Sequence, residues 1–305
     1  MDKIHFPYRS SSHLAFLHVV AESGSWERHD LDVEYDAYIS SEDAHKQVAD
    51  GSVEFVGGNH VSTYAARTRG DQWLYLGQTV SLLDHRLVVR ADSGIDQLSD
   101  LKEKVVATRG NHPGLNNWLF LKQNGLDQDR GDVTLERIHG GTTWEAVRDG
   151  KADAALVNPP ADLFAQRAGL KVIPLSPLPM VWFTTMSSGR RFVDRNPDIV
   201  ERFLKGTCQG IAYFKTHREE SIRIIRERYQ NEGELDVEAA TRLWESISKI
   251  LSPKPYASFE AVGNVYELAK RKDPAAAQVE PMALWDYHYL RKIDDSGFID
   301  GLYQT

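Results

Sequence analysis

Six short stretches gather side chains able to do chemistry: Arg9-Ser10-Ser11-Ser12-His13, Gly57-Gly58-Asn59-His60, Thr79-Val80-Ser81, Arg109-Gly110-Asn111-His112-Pro113, His139-Gly140-Gly141-Thr142-Thr143 and Asn158-Pro159-Pro160. Four of the six carry a histidine, out of eleven in the chain, so histidines concentrate there beyond what polar loops alone require. A neutral imidazole both donates and accepts and titrates near pH 6.5. It can grip a carboxylate or sulfonate, or move a proton as a general acid or base. Arg109 ends the run Val105-Val106-Ala107-Thr108, where a guanidinium can meet an anion with two parallel hydrogen bonds. Arg9 offers the same from the first stretch. Trp144 and Trp182 stand where they can stack on a flat ligand or pack in a core.

Each stretch also has a purely structural reading. Ser, Thr and Asn are preferred helix N-caps, Pro113 and Pro159 suit the first helical position, and Thr142-x-x-Glu145 has the form of a capping box. Arg67 and Arg69 read as solvated cations at a helix C-terminus, and Trp118 as core. No His-x-x-x-His spacing marks a metal site, so neither a metal nor a cofactor is expected. No strand-turn-helix G-x-S-x-G appears, which disfavours a serine–histidine hydrolase.

These loops need a frame to position them. Short β-like runs at Lys3–Pro7, Asp32–Ala37, Val53–Gly57, Leu74–Thr79, Arg86–Arg90, Lys104–Thr108, Val133–Ile138, Ala154–Val157, Lys171–Pro174 and Val181–Met186 alternate with amphipathic helices such as Leu14–Ala21, Ser41–Ala49, Leu115–Gln123 and Thr143–Arg148. That alternation predicts mixed or parallel sheets covered by helices. After Pro197 the pattern is helical: Asp198–Phe214, Glu219–Tyr229, Val237–Ile250, Phe259–Lys270 and Met282–Ile293. "VADGSVEFVGG" and "VRDGKADAALVNPP" repeat one scheme of helix end, Asp-Gly and buried strand, as two similar lobes would. In open α/β sheets, ligands bind beyond the carboxyl ends of strands, which is where the six stretches fall.

Composition sets outer limits. The chain has 305 residues, 41% of them hydrophobic and 26% charged, enough for two core-forming domains and too apolar for a disordered protein. A net charge of −8 with no long basic run argues against nucleic-acid binding. Cys208 is the single cysteine, so no internal disulfide can form, and its helical setting predicts a packed core thiol. No stretch reaches the ~18 apolar residues of a membrane span, and "MDKIHFPYRSSS" lacks the form of a signal peptide. A soluble, cytoplasmic protein is expected, or a periplasmic one if its native N-terminus was removed.

The opening "HLAFLHVVAESGSWERHDLDVEYDAY", the later "QLSDLKEKVVATRG" and the closing "DPAAAQVEPMALWDYHYLRKIDDSGFIDGL" together resemble type 2 periplasmic-binding-protein folds. The resemblance is strongest to the sulfonate- and taurine-binding proteins and the NMT1/THI5-like, thiamine-pyrimidine proteins. His29-Asp30 stands where that pattern has a glycine before Leu31, and Glu103 replaces the glycine of its DLKGK segment. The resemblance implies an α/β fold of two lobes, each a mixed sheet flanked by helices, with a ligand cleft between them and a helical C-terminal tail. Crossings are expected near Arg90–Ser93 and Ser176–Met180. Lobe one is then 1–90 with 180–305, and lobe two 91–179.

Two classes of function follow. In the first, the chain is the substrate-binding component of an ABC-type uptake system, handing a small, anionic, ring-containing solute to a membrane permease. Its expected contacts are Ser10, Ser11, His13, Asn59, His60, Thr79, Arg109, Asn111, His112, Thr142, Thr143, Asn158 and Trp182. In the second, it is a cytoplasmic enzyme on the same scaffold, of decarboxylase, lyase or pyrimidine-synthase type, acting on an aromatic or heteroaromatic acid with His60 or His112 as acid and base. The related aromatic sulfinate desulfinase carries its cysteine in the first loop, where this chain has Ser10-Ser11-Ser12. The pyrimidine synthases use a cysteine-rich motif that one cysteine cannot supply.

Overall fold

The computed structural model describes residues 1–109, 111–229 and 235–304, the side chains of 111–113 excepted. The described strands are β1 (Asp2–His5), β2 (Leu31–Glu34), β3 (Phe55–Gly57), β4 (Trp73–Gln78), β5 (Leu82–Leu83), β6 (Arg86–Val89), β7 (Val105–Thr108), β8 (Thr134–Arg137), β9 (Ala154–Val157), β10 (Lys171–Pro174), β11 (Leu178–Pro179) and β12 (Thr185–Gly189). The helices are α1 (Leu14–Glu22), α2 (Ser41–Asp50), α3 (Ser62–Thr68), α4 (Asn111–Gln123), α5 (Thr143–Arg148), α6 (Ala161–Arg167), α7 (Arg190–Arg195), α8 (Pro197–Thr216), α9 (Arg218–Arg228), α10 (Val237–Ile250), α11 (Phe259–Lys272), α12 (His288–Asp295) and α13 (Phe298–Gly301). The chain divides into two compact units, Met1–Leu82 with Pro179–Thr305, and Leu83–Leu178. The first boundary precedes β6 because Arg86–Val89 pairs with β9 and β10 of the second unit.

In unit one, β1 and β2 run parallel, Ile4 opposite Val33. β12 lies antiparallel between β3 and β4. Tyr8 bridges to both Tyr38 and Gly57, which ties the continuation of β1 between those of β2 and β3. Ile4, Phe6, Leu31, Phe55, Val56, Trp73 and Tyr75 are buried. β3 and β4 are buried along their whole length, as strands covered on both faces are, whereas β1 and β2 keep exposed charged positions. Phe55 stacks on Phe203 of α8 at a 4.0 Å centroid separation, and Phe203 in turn stacks on Trp26. α8 lies close against the α1 region through Gly206 and Gly210. A Cβ on Gly210 would stand 2.6 Å from Val20, and one on Gly206 2.6 Å from Trp26.

Unit two is one five-stranded sheet, ordered β10-β6-β9-β7-β8. β7 is parallel to both neighbours, and β6 is antiparallel to both of its own. Val88, Ala107, Val147, Ala155, Val157 and Ala165 form its core. The two Asp-Gly echoes close α2 and α5 alike: Gly51 at φ 82° and Gly150 at φ 71° take the left-handed conformation that ends a helix.

Among the elements that differ from expectation, two have a clear physical reason. The last strand begins at Thr185 rather than Val181, because Thr184 turns at φ 40° and the pairing with β3 and β4 starts after it. Met282–Tyr287 is not helical. Its backbone goes to β4 instead, with Tyr75 N–H donating to Leu284 O at 2.7 Å and Asp286 N–H to Tyr75 O at 2.9 Å. Cys208 is a buried free thiol, and burial pushes its pKa up to about 12. Among the described residues, no helix is long and apolar enough to cross a membrane.

Candidate functional site

In unit one, the carboxyl ends of β1, β2 and β3 deliver polar groups to one neighbourhood. Arg9 is fixed there by its N–H donating to Gly57 O at 3.1 Å. Its guanidinium donates to Ile39 O and, at 3.5 Å, to the Tyr38 hydroxyl, and lies 5.8 Å from the Tyr38 ring centre. The Nε of Arg9 is buried without a hydrogen-bond partner among the described residues. His13 is 3% exposed, and its Nδ1 is likewise buried and unpartnered. Burial, reinforced by the Arg9 charge, drives its pKa down to about 3, so the imidazole is neutral. Both side chains flank Gly58, whose φ of 118° suits glycine: a Cβ there would lie 3.1 Å from Arg9 and 3.5 Å from His13. Ser10 and Ser12 share a hydrogen bond at 2.7 Å, and Ser11 opens the turn that leads into α1.

Asn59 is the hub of a second network. Its backbone, at φ 66°, directs its carbonyl to the hydroxyls of Thr63 and Tyr75, both at 3.3 Å. Its side-chain oxygen accepts from Ser41 at 2.8 Å and Ser62 at 3.0 Å. Its amide nitrogen lies 3.3 Å from His45 Nε2. His45 is also 2.9 Å from the Ser62 hydroxyl through Nε2 and 2.6 Å from Asp71 through Nδ1. Burial lowers the His45 pKa, although Asp71 acts the other way. Ser41, His45, Ser62 and Asp71 were not among the residues singled out from the sequence. The Ser41/His45 spacing on one helix was the only local hint, because Ser62 and Asp71 come from other elements.

His60 is buried, with Nδ1 3.5 Å from Thr185 Oγ1, and that hydroxyl donates to Gln78 Oε1 at 2.6 Å. Thr79 is fully buried, and its hydroxyl donates to Phe183 O at 3.0 Å. Trp182 is half-buried, with an indole N–H that is buried and without a partner among the described residues.

Unit two carries its own loops. Arg109 is exposed at the end of β7, and the side chains of Asn111 and His112 lie outside the described residues. Thr142 is taken up by capping: its hydroxyl accepts from Glu145 N–H at 3.3 Å, while the Glu145 carboxylate accepts from Thr142 N–H at 2.8 Å. Those bonds hold the Glu145 carboxyl below its ordinary pKa. Thr143 is the first residue of α5. Arg137, His139, Gly140, Thr142, Glu145 and Arg148 line part of a groove of about 500 Å³. Asn158 donates to Asp84 O at 3.3 Å, and Asp84 holds Arg86 through two bonds, at 2.7 and 3.0 Å.

At the carboxyl ends of strands, unit one therefore presents hydroxyl and amide donors, the Arg9 guanidinium and the neutral His13 imidazole, and unit two the exposed Arg109, a chemistry suited to oxyanions. The Escherichia coli periplasmic aliphatic sulphonate binding protein SsuA is similar in fold, with a TM-score of 0.69 at 16% identity over 93% of this chain and 99% of that one. The alkanesulfonate-binding SsuA of Xanthomonas axonopodis pv. citri, bound to MOPS, has a TM-score of 0.65 at 14% identity over 92% of this chain and 96% of that one. A cysteine-to-serine mutant of DszB in complex with biphenyl-2-sulfinic acid also scores 0.65, at 14% identity over 97% and 99% of the two chains. At such identities the likeness is one of fold, the two-lobe periplasmic-binding-protein architecture. No curated protein matches the sequence. The NMT1/THI5-like family model matches residues 11–221, more than half of the chain, and the protein belongs to that family.

Proposed function

We propose that this protein is the substrate-binding component of an ABC-type uptake system, passing a small organic anion to a membrane permease. In unit one the anion is gripped by Arg9, Ser10, Ser11, His13, Asn59 and His60, with Trp182 available to a ring. The candidate contacts in unit two are Arg109, Asn111, His112, Thr143 and Asn158. One observation carries the reading: Arg9 Nε and His13 Nδ1, both flanking Gly58, are buried polar atoms without a hydrogen-bond partner among the described residues. Leaving such a group unsatisfied costs about 1–3 kcal/mol, which an entering oxyanion offsets at Arg9. Sulfonate-binding proteins among the structural neighbours support a sulfonate or carboxylate as the anion.

Titration calorimetry tests this with MOPS, a carboxylate of matched size and a neutral alcohol of matched size. Saturable binding of an anion and none of the alcohol is the expected result. Binding of the alcohol alone would overturn the reading. The acid/base alternative has a narrower footing: His60 is buried, with Thr185 and Gln78 beside it, and the His112 side chain is outside the described residues.

A further inference from the structure

The solute reading leaves the hydrogen-bonded series Asp71–His45–Ser62 without a role. Its three members come from the loop before β4, from α2 and from the first residue of α3. Asp71 Oδ2 lies 2.6 Å from His45 Nδ1, and His45 Nε2 lies 2.9 Å from Ser62 Oγ. A carboxylate at Nδ1 fixes the tautomer with its proton there, so the Nε2 lone pair faces the hydroxyl. The arrangement of acid, base and hydroxyl is recognised by geometry and roles, whatever the order in the chain, so the lack of a G-x-S-x-G turn, which counted against a serine–histidine hydrolase in the sequence, does not bear on this group.

We propose that Ser62 is a nucleophile activated by His45 and positioned through Asp71, giving this protein a hydrolase activity toward small carboxylic esters. The surroundings fit. The Trp73 ring meets the imidazole edge-on, 5.2 Å from centre to centre, and limits its rotation. Side-chain exposures of 20% for His45 and 31% for Asp71, with Ser62 half-buried, leave the group within reach of a solute. Burial favours the neutral imidazole, the form that can accept a proton. In the resting arrangement the Ser62 hydroxyl donates to Asn59 Oδ1 at 3.0 Å and lies 3.1 Å from Ser41 Oγ, so it turns from Asn59 to His45 Nε2 as it reacts. The Ser41 hydroxyl donates to Asn59 Oδ1 at 2.8 Å, and the Asn59 amide nitrogen faces His45 Nε2 at 3.3 Å.

In the step, the Ser62 hydroxyl proton passes to His45 Nε2 as Oγ forms a bond to the ester carbonyl carbon. The carbon–alkoxy bond then breaks, and the alcohol leaves with that proton. Water repeats the sequence on the acyl-serine, releasing the carboxylic acid and restoring Ser62. No oxidant, reductant or metal is required.

The full chain is treated with a fluorophosphonate probe and mapped by peptide mass spectrometry, and p-nitrophenyl acetate turnover is followed in parallel. The expected result is one label per chain on Ser62, an initial burst of one p-nitrophenolate per chain, and neither in Ser62→Ala. His45→Gln should slow both by at least about a hundredfold, and Asp71→Asn by at least about tenfold. Ser62→Cys guards against a folding defect, since its thiol should be alkylated by iodoacetamide at a rate that drops when His45→Gln is added. An unlabelled wild-type protein, label or burst persisting in Ser62→Ala, or rates indifferent to His45→Gln would each overturn the proposal. None of these readouts depends on which solute is captured.

Discussion

The Cβ of Arg9 lies 3.1 Å from the point where a side chain on Gly58 would begin. Gly58 itself donates its N–H to Thr185 O at 3.0 Å, so its backbone is tied to the central strand of the sheet. The absent side chain is what leaves room for Arg9 to lie along the loop toward Tyr38. Gly58→Ala would combine a strained φ with a collision against Arg9, and the guanidinium would have to move. Arg9→Gln removes the charge and keeps the space. Losing a charged hydrogen bond costs about 1.5–3 kcal/mol, or roughly tenfold to a hundredfold in affinity. Calorimetry with MOPS should show that loss in both variants. Only Gly58→Ala should also lower the melting temperature of the empty protein.

Asp30 and Glu103 occupy the two positions where the family pattern has glycine, and both are left-handed, at φ 57° and 62°. Both side chains are exposed. The backbone is held by neighbours in each case: Asp30 N–H donates to Glu27 O, and Glu103 N–H donates to Asp132 O at 2.8 Å. Aspartate tolerates this conformation better than glutamate. Glycine relieves the strain while adding freedom to the unfolded chain, so the net gain is small. Glu103→Gly should stabilise by about 1 kcal/mol and Asp30→Gly by about half that. Urea unfolding should show higher midpoints in both variants, with the larger shift in Glu103→Gly.

Most of the frame was readable because hydrophobic period and cap residues are local signals. Val237–Ile250 and Thr143–Arg148 match their helices end to end, and Thr142-x-x-Glu145 is a capping box. The failures have a non-local cause. Met282–Tyr287 has a helical pattern, yet its backbone groups find partners in β4, more than 200 residues earlier. The candidate site divides the same way. Arg9, His13 and Asn59 could be picked out because they follow strands. Asp71, His45 and Ser62 could not, because their relation exists only after α2, α3 and the loop before β4 are packed. Thr79 shows the opposite error: it is the right residue type at a strand end, with its hydroxyl consumed by Phe183 O.

Gly206 gives a packing prediction independent of any ligand. Its position in α8 faces Trp26 at 2.6 Å and the Ser25 carbonyl oxygen at 3.0 Å, measured from an added Cβ. The carbonyl belongs to backbone and cannot rotate aside. Ala is the better helix former by about 1 kcal/mol, so propensity alone would favour Gly206→Ala. Overpacking costs about 1–3 kcal/mol and should win here. Gly263 in α11 is the control, because nothing lies within 4 Å of an added Cβ. Thermal unfolding should show Gly206→Ala melting below the parent protein and Gly263→Ala above it.

Three buried histidines make stability depend on acid. His13 is pushed down to about 3, and His18 and His85 to about 4, chiefly by burial; Arg9, Arg228 and Arg86 act in the same direction at His13, His18 and His85 respectively. Among the described residues the Nδ1 atoms of His13 and His85 have no hydrogen-bond partner, while His18 meets the Tyr35 hydroxyl at 3.0 Å. In the unfolded chain each would protonate near 6.5. Between pH 6.5 and about 4, the unfolded state therefore binds protons that the folded state refuses, and stability falls as pH falls. Above pH 6.5 both states are neutral at these sites, and the effect vanishes. Each residue contributes up to about 1.4 kcal/mol per pH unit within that window. His85 packs edge-on against Phe120, so His85→Phe keeps an aromatic ring and removes the titration. Urea midpoints measured from pH 7.5 to pH 5 should drop steeply for the parent protein below pH 6.5. His85→Phe should show a shallower drop and the same plateau slope above pH 7. Parallel curves for the two proteins across the whole range would show that His85 protonates as readily when folded as when unfolded.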